Sequence, residues 1–167
     1  MTRVELTGGE LTGGELTGVK PAEAAASAPL WTRLRFGVSL WIAARLLPLR
    51  VARKPWRRVL EMADPSSIRF AGLHHDYITA RVLRATRRPW LMRDRPCLRQ
   101  GLLGCRFLAE AGYAPELHFG INSDSIGTHR LSAHCWVCIN GKPVLNDRIN
   151  HMATILVHHV GTQANAQ

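Results

Sequence analysis

Cys97, His134 and an acid or amide just past a tight turn are the parts of a nucleophilic site, and this chain carries them in that order. Cys97 follows Pro96, a residue suited to the first turn of a helix. The first four N–H groups of a helix have no partner within it, and its dipole favours negative charge there. A thiolate gains from such a position, and the thiolate is the nucleophilic form of cysteine. Arg93, Arg95 and Arg99 add positive charge nearby. A cysteine so placed can equally be a buried structural residue, the common fate of a free thiol. The balance shifts with His134, because a nucleophilic cysteine needs a base within hydrogen-bond reach and a third group to orient that base.

Alternation along a strand puts His134, Trp136 and Cys138 on one face and Cys135, Val137 and Ile139 on the other. Asn140-Gly141 is a type I′ hairpin signal, so the chain folds back beside this strand. The return brings Asn146 and Asp147 towards His134. Either can hold the imidazole in the right tautomer, with Asp147 preferred. Side-chain parity does not choose between them, since one bulge reverses the faces.

The elements that must position these groups read as α+β. A five-residue Glu-Leu-Thr-Gly-Gly repeat fills residues 4–18, and a low-complexity tail is expected over 1–29. Residues 30–90 read as a basic helical region and 91–160 as the core carrying the site, with 30–160 one compact domain. The first helical pattern, from Leu30 to about Leu60, takes Leu34, Val38, Trp41, Ile42 and Leu46 as its period and is broken at Pro48 and Pro55. A second helix is predicted over 65–88, capped by Asp64 and packed through Ile68, Leu73, Tyr77, Ile78 and Val82. The third starts at Pro96 with Asp94 as cap, buries Leu98, Leu102, Cys105 and Leu108, and stops at Gly112. Gly101 and Gly104 inside it imply close packing against another backbone. Residues 116–121 and 131–139 alternate as strands, and 142–147 returns from the hairpin. Residues 149–160 are ambiguous between strand and helix.

The charge is unevenly spread. The chain of 167 residues carries a formal net charge of +10, and residues 31–100 hold sixteen Lys/Arg against four Asp/Glu. Trp31, Trp41 and Trp56 interleave with those arginines, which favours docking of an acidic peptide or protein partner over peripheral contact with an anionic membrane. Nucleic acid is not expected, because no helix-turn-helix, zinc-finger or ribonucleoprotein motif accompanies the charge. The longest apolar stretch, Phe36 to Ala44, is far below the roughly 20 residues that span a bilayer. Residues 1–30 lack a basic start followed by an apolar run, so free thiols in a reducing, cytoplasmic setting are expected.

Cys135-Trp-Val-Cys138 is a CxxC, but residues three apart on a strand point to opposite faces, and no second pair at matching spacing exists. The histidine pairs 74–75 and 158–159 match no metal motif and read as surface or hydrogen-bonded residues, while His118 lies on the strand beside the site. No metal ion or organic cofactor is required by the chemistry of a thiolate and an imidazole.

Four segments in order carry a resemblance: Arg-Pro-Cys-Leu-Arg-Gln-Gly-Leu-Leu (95–103), Ala-Gly-Tyr-Ala-Pro-Glu-Leu-His-Phe-Gly-Ile (111–121), Ala-His-Cys-Trp-Val (133–137) and Asn-Gly-Lys-Pro-Val (140–144). Together they resemble the transglutaminase-like leader peptidases of bacterial lasso-peptide biosynthesis. The resemblance spans about residues 31–150. It implies a papain/transglutaminase-like core and a Cys–His–Asp triad falling on Cys97, His134 and Asp147. It also implies hydrolysis of a ribosomally made precursor peptide, a small leader-binding recognition protein as partner, and an ATP-dependent lasso cyclase acting next. Cys135 departs from the pattern, which has Ala between His and Trp. The stretch before Arg95 matches loosely, which leaves Trp90 as a weak candidate for the second oxyanion donor beside the backbone N–H of Cys97. Two other activities fit the same residues: acyl transfer to an amine, and a non-catalytic scaffold that binds a peptide or protein.

Overall fold

Apolar residues and glycines at most positions of 96–110 favour a helix largely enclosed by its neighbours, and the packing supplies one. In the computed structural model, which describes residues 28–87, 92, 95–125, 132–149 and 151–160, helix α4 (Pro96–Glu110) has eleven of its fifteen residues buried. Helices lie against one side of it and a sheet against the other. The sheet-facing glycines are there for clearance. A Cβ at Gly101 would stand 2.8 Å from Leu117 Cδ1 and 3.3 Å from Cys135 Sγ, and one at Gly104 would collide with Leu145 Cδ2. The close approach expected from these glycines is therefore to strand side chains rather than to a second backbone. Gly112, at φ +95°, stops the helix. The residue preceding the helix is Arg95, which makes no side-chain cap; Asp94 lies outside the described residues.

The sheet is antiparallel, in the order β3-β2-β1-β4, built from β1 (Pro115–Asn122), β2 (Ala133–Ile139), β3 (Lys142–Leu145) and β4 (Met152–His159). Asn140 and Gly141 have φ of +51° and +74°, the signs a type I′ turn needs. The ambiguous C-terminal segment is a strand, β4, paired to β1 at the sheet edge. One residue-shift interrupts β2–β3 between Val137 and Cys138, and another interrupts β1–β4 between Phe119 and Gly120.

Helix α1 (Leu30–Val51) departs from the sequence expectation twice. Its buried stripe is Phe36, Leu40, Ala44, Leu47 and Pro48, whereas Leu34, Val38, Trp41, Ile42 and Leu46 are exposed. The helix is apolar on most of its circumference, so periodicity alone does not choose the buried side. Phe36 decides it by making edge contacts with Phe70 and Phe107, each at 5.4 Å between ring centroids. Pro48 also does not break the helix. A proline at 48 leaves the carbonyl of Ala44 without its usual i+4 donor. Arg99 of α4 supplies one: its Nη2 donates to Ala44 O at 2.6 Å. The chain turns only after Val51, and a short helix, α2 (Trp56–Leu60), starts behind Pro55.

Helix α3 (His75–Thr86) begins ten residues later than Pro65. His74 is its N-cap, with Nδ1 accepting from the Asp76 N–H at 3.3 Å. Asp64 instead meets His158 of β4 at 3.1 Å. The backbone N–H groups of Arg69 and Phe70 donate to the Glu110 carbonyl, which holds 64–74 as a loop with Phe70 in the core. Ile68 is 66% exposed accordingly, while Leu73, Tyr77, Ile78 and Val82 are buried.

Candidate active site

The head of α4 meets the start of β2 and the end of β3. Pro96 is the first residue of α4, so the N–H of Cys97 is among the unpaired donors at its start. Cys97 is half-buried. Asn146, which follows β3 at φ +56°, turns its side-chain amide inwards. Its Nδ2 donates to the carbonyl of Cys97 at 3.2 Å and to that of Cys135 at 3.3 Å. One amide thereby ties the helix start to β2.

Around that tie the Cys97 thiol pKa is brought down from 9.0 to about 5. The largest cause is a hydrogen bond from the Cys135 side chain; burial opposes it; the Cys135 backbone N–H and then the charge and hydrogen bond of His134 add to the lowering. The Cys135 thiol moves the other way. Donating its proton to Cys97 and sitting 2% exposed both push its pKa up. The negative charge therefore belongs on Cys97 and the proton on Cys135. Burial also raises the pKa values of Cys105 and Cys138. Among the four free cysteines, the thiolate is confined to one.

His134 is held from its far side. Its Nε2 lies 3.2 Å from the main-chain carbonyl of Asp147. A carbonyl only accepts, so Nε2 carries the proton and Nδ1 is left for Cys97. The contact expected from a side chain past the hairpin is thus made by the backbone of Asp147, whose side chain is exposed. Asn146, the alternative partner for the imidazole, is occupied with the two cysteine carbonyls. Leu145, paired with Val137, already faces α4, so strand alternation would turn residue 146 away; the left-handed backbone of Asn146, just past the end of β3, brings its amide inwards and leaves 147 beside the histidine. The His134 ring stacks on Trp136 at 6.3 Å, and Trp136 stacks on His118 at 5.5 Å. His118 is paired with Glu116 at 2.9 Å.

Cys97 and His134 open onto a cleft of about 450 Å³. Trp56, Leu98, Phe119, Ile155 and Leu156 form its apolar walls, and Arg95 is the cationic side chain among its lining residues. Gly120, directly across from His134 in the β1–β2 register, clears room: a Cβ there would lie 3.0 Å from the Trp136 ring and 3.2 Å from Ala153 O. Apart from Leu98 of α4, these wall residues arrive from α2, β1 and β4, and no local motif in the sequence marks them. The glycine in the middle of a strand was the one local signal.

Arg99 does not add charge at the site. It is 2% exposed and reaches away to α1, and burial lowers its pKa. Arg93, Trp90 and the expected start of β2 at Leu131 lie outside the described residues. Cys135 faces α4 through Gly101, whereas Cys138 is buried outside the main core cluster with Trp136 and Met152, so the CxxC is divided between the two sheet faces. His74, His75 and Asp76 bring ligand atoms within 4.8 Å of one another at the head of α3, away from the residues lining the cleft.

A helix-head cysteine facing an antiparallel sheet that carries a histidine defines an α+β fold of the transglutaminase type. The family model of the transglutaminase-like superfamily matches residues 30–157, more than half of the chain, and the chain belongs to that superfamily. Its members are typically cysteine peptidases or acyltransferases. No curated protein and no solved structure matches the chain. Among the described residues, no helix is long and apolar enough to cross a membrane.

Proposed function

We propose that the protein is a cysteine peptidase that removes the leader from a ribosomally made precursor peptide, as in lasso-peptide maturation. The reading is carried by a thiol whose pKa is about 5 at a helix head, with His134 against it at an apolar cleft. The step from a cysteine enzyme to a leader peptidase rests on the resemblance of residues 95–147.

In this mechanism the Cys97 thiolate attacks the scissile carbonyl, and the Cys97 backbone N–H donates to the oxyanion. His134, protonated when the thiolate forms, gives its proton to the leaving amine. Water activated by the neutral imidazole then releases the acyl-enzyme. Asp147 is the positioning residue for His134. Its carbonyl contact supports that role, and its carboxylate is the charge that would balance the imidazolium.

The partners belong to the same proposal: the precursor peptide, a small leader-binding protein, and an ATP-dependent cyclase that uses the product. The exposed face of α1 suits docking. Trp31, Leu34, Val38 and Trp41 stand on it, Arg45 covers Trp41 at 4.4 Å, and Arg33 and Arg81 both lie over Tyr77. An acidic, partly apolar partner matches that surface better than nucleic acid does. Four free thiols suit a reducing, cytoplasmic setting.

The cleft walls also favour a second reading, acyl transfer, because an apolar site that limits water lets an amine compete for the acyl-enzyme. The test is incubation of the protein with a precursor peptide and leader-binding protein encoded beside it, followed by mass spectrometry. Peptidase action gives leader and core fragments that disappear with Cys97→Ala. A primary amine added to the mixture and recovered on the peptide would establish acyl transfer instead. Equal biological function from Cys97→Ala would leave only the binding scaffold.

A further inference from the structure

Cys135 is neither the nucleophile nor part of its base, yet it is placed against both. Its sulfur lies 3.3 Å from where a Cβ of Gly101 would be, on the turn of α4 directly following Cys97. Residues four apart share a helix face, so Cys97 and Gly101 look the same way, towards Cys135. Asn146 holds the two cysteine carbonyls on one nitrogen, at 3.2 and 3.3 Å, which fixes the two backbones beside each other. Access differs between the two sulfurs. Cys97 is half-buried at the cleft, whereas Cys135 is 2% exposed behind it. A small oxidant meets Cys97 first, and Cys135 is reached through it.

We propose that Cys97 and Cys135 form an oxidative modification site: a hydroperoxide, with hydrogen peroxide as the simplest case, converts them into a reversible disulfide that blocks the nucleophile. The Cys97 thiolate attacks the O–O bond. A sulfur–oxygen bond forms, the O–O bond breaks, and the departing hydroxide takes a proton to become water. Cys135 then attacks the Cys97 sulfenic acid. The S–S bond forms, the S–O bond breaks, and the second hydroxide leaves with the Cys135 proton as water. Two thiols and one peroxide yield one disulfide and two waters, with two electrons passing from sulfur to oxygen.

Two features suit the pair to this chemistry. Cys97 has the thiolate character that peroxide selects, as its lowered pKa indicates. Cys135 stands beside Cys97: its sulfur lies against the α4 turn at Gly101, and Asn146 holds the two backbones together, so the sulfurs meet as neighbours. The site does not depend on which acyl chemistry Cys97 performs.

The test needs no substrate. The reduced full-length chain is treated with hydrogen peroxide, alkylated, digested and mapped by mass spectrometry. The expected product is a peptide pair joined through Cys97 and Cys135, lighter by two hydrogens. Dithiothreitol should return Cys97 alkylation to within about twofold of its starting rate. In Cys135→Ala the cross-link is lost, and at alkaline pH, where Cys97 is ionised even without the Cys135 hydrogen bond, trapping of the Cys97 sulfenic acid by dimedone rises at least about tenfold over wild type. Cys135→Ser, of nearly the same volume, serves as a second variant and should behave alike if either protein folds poorly. The inference is overturned if wild type and Cys135→Ala give equal dimedone adducts without a 97–135 link. It is also overturned if Cys97 joins Cys105 or Cys138 instead. Absence of peptide cleavage would sink the proposed function and leave this result standing.

Discussion

Helix α4 and helix α1 lie side by side in the core and have opposite designs. Helix α4 is enclosed, and its neighbours tie it down with polar contacts: Asn146 at its head, Ala44 of α1 at Arg99, and the N–H groups of Arg69 and Phe70 donating to the Glu110 carbonyl at its end. Helix α1 buries one stripe and turns Trp31, Leu34, Val38 and Trp41 to solvent. The two glycine environments show the same contrast. Gly104 of α4 has no room for a methyl group, while Gly37 of α1 has nothing within 4 Å of the position its Cβ would take. The chemistry proposed for Cys97 requires a backbone fixed to fractions of an ångström. The docking role proposed for α1 requires surface area and charge, and tolerates change.

That contrast can be broken or sharpened by substitution. The largest effect is expected from Cys97→Ala, which should lower peptide processing by more than about 10⁴-fold with the fold intact by circular dichroism. His134→Ala should cost about 10³-fold or more. It should also raise the pH midpoint of Cys97 alkylation, because a positive neighbour that favours the thiolate is gone. Asp147→Ala is expected to lower kcat by at least about 10²-fold. A loss below tenfold would mean that the main-chain carbonyl alone holds the imidazole.

Stability effects follow the same division. Arg99→Met leaves the Ala44 carbonyl without a donor inside the core and should destabilise by about 1–3 kcal/mol in denaturant melts. Gly104→Ala forces a methyl group against Leu145 and should cost about 1–3 kcal/mol. Gly37→Ala should be neutral or stabilise by up to about 1 kcal/mol, since α1 gains a better helix former at an open position. If Gly37→Ala destabilises as much as Gly104→Ala, the two helices are not built as differently as their packing indicates.

The parts read well from sequence are those fixed by local chemistry. Pro96 starts α4, Gly112 ends it, and Asn140-Gly141 makes the turn that carries the chain back to His134. The parts misread depend on contacts between distant residues. The buried side of α1 is chosen by Phe36 meeting Phe70 and Phe107, and nothing within the helix announces it. The passage through Pro48 relies on an arginine 51 positions further on. Asp64 has the sequence of a helix cap but is taken by His158, which leaves His74 to start α3. The nearness of Cys97, His134 and the Asp147 main chain is legible because helix head, strand and hairpin each have a local signature. The role of Asn146 is not, because a left-handed residue past the end of β3, rather than strand alternation, directs its amide to the carbonyls of Cys97 and Cys135.

The most direct test of the central claim is the rate of Cys97 alkylation by iodoacetamide as a function of pH, resolved from the other cysteines by mass spectrometry. The account predicts a rise centred near pH 5, a plateau through neutrality, and labelling of Cys97 well ahead of Cys105, Cys135 and Cys138. A rise centred at the usual thiol value of about 8.5, or labelling of Cys138 as fast as Cys97, would contradict it.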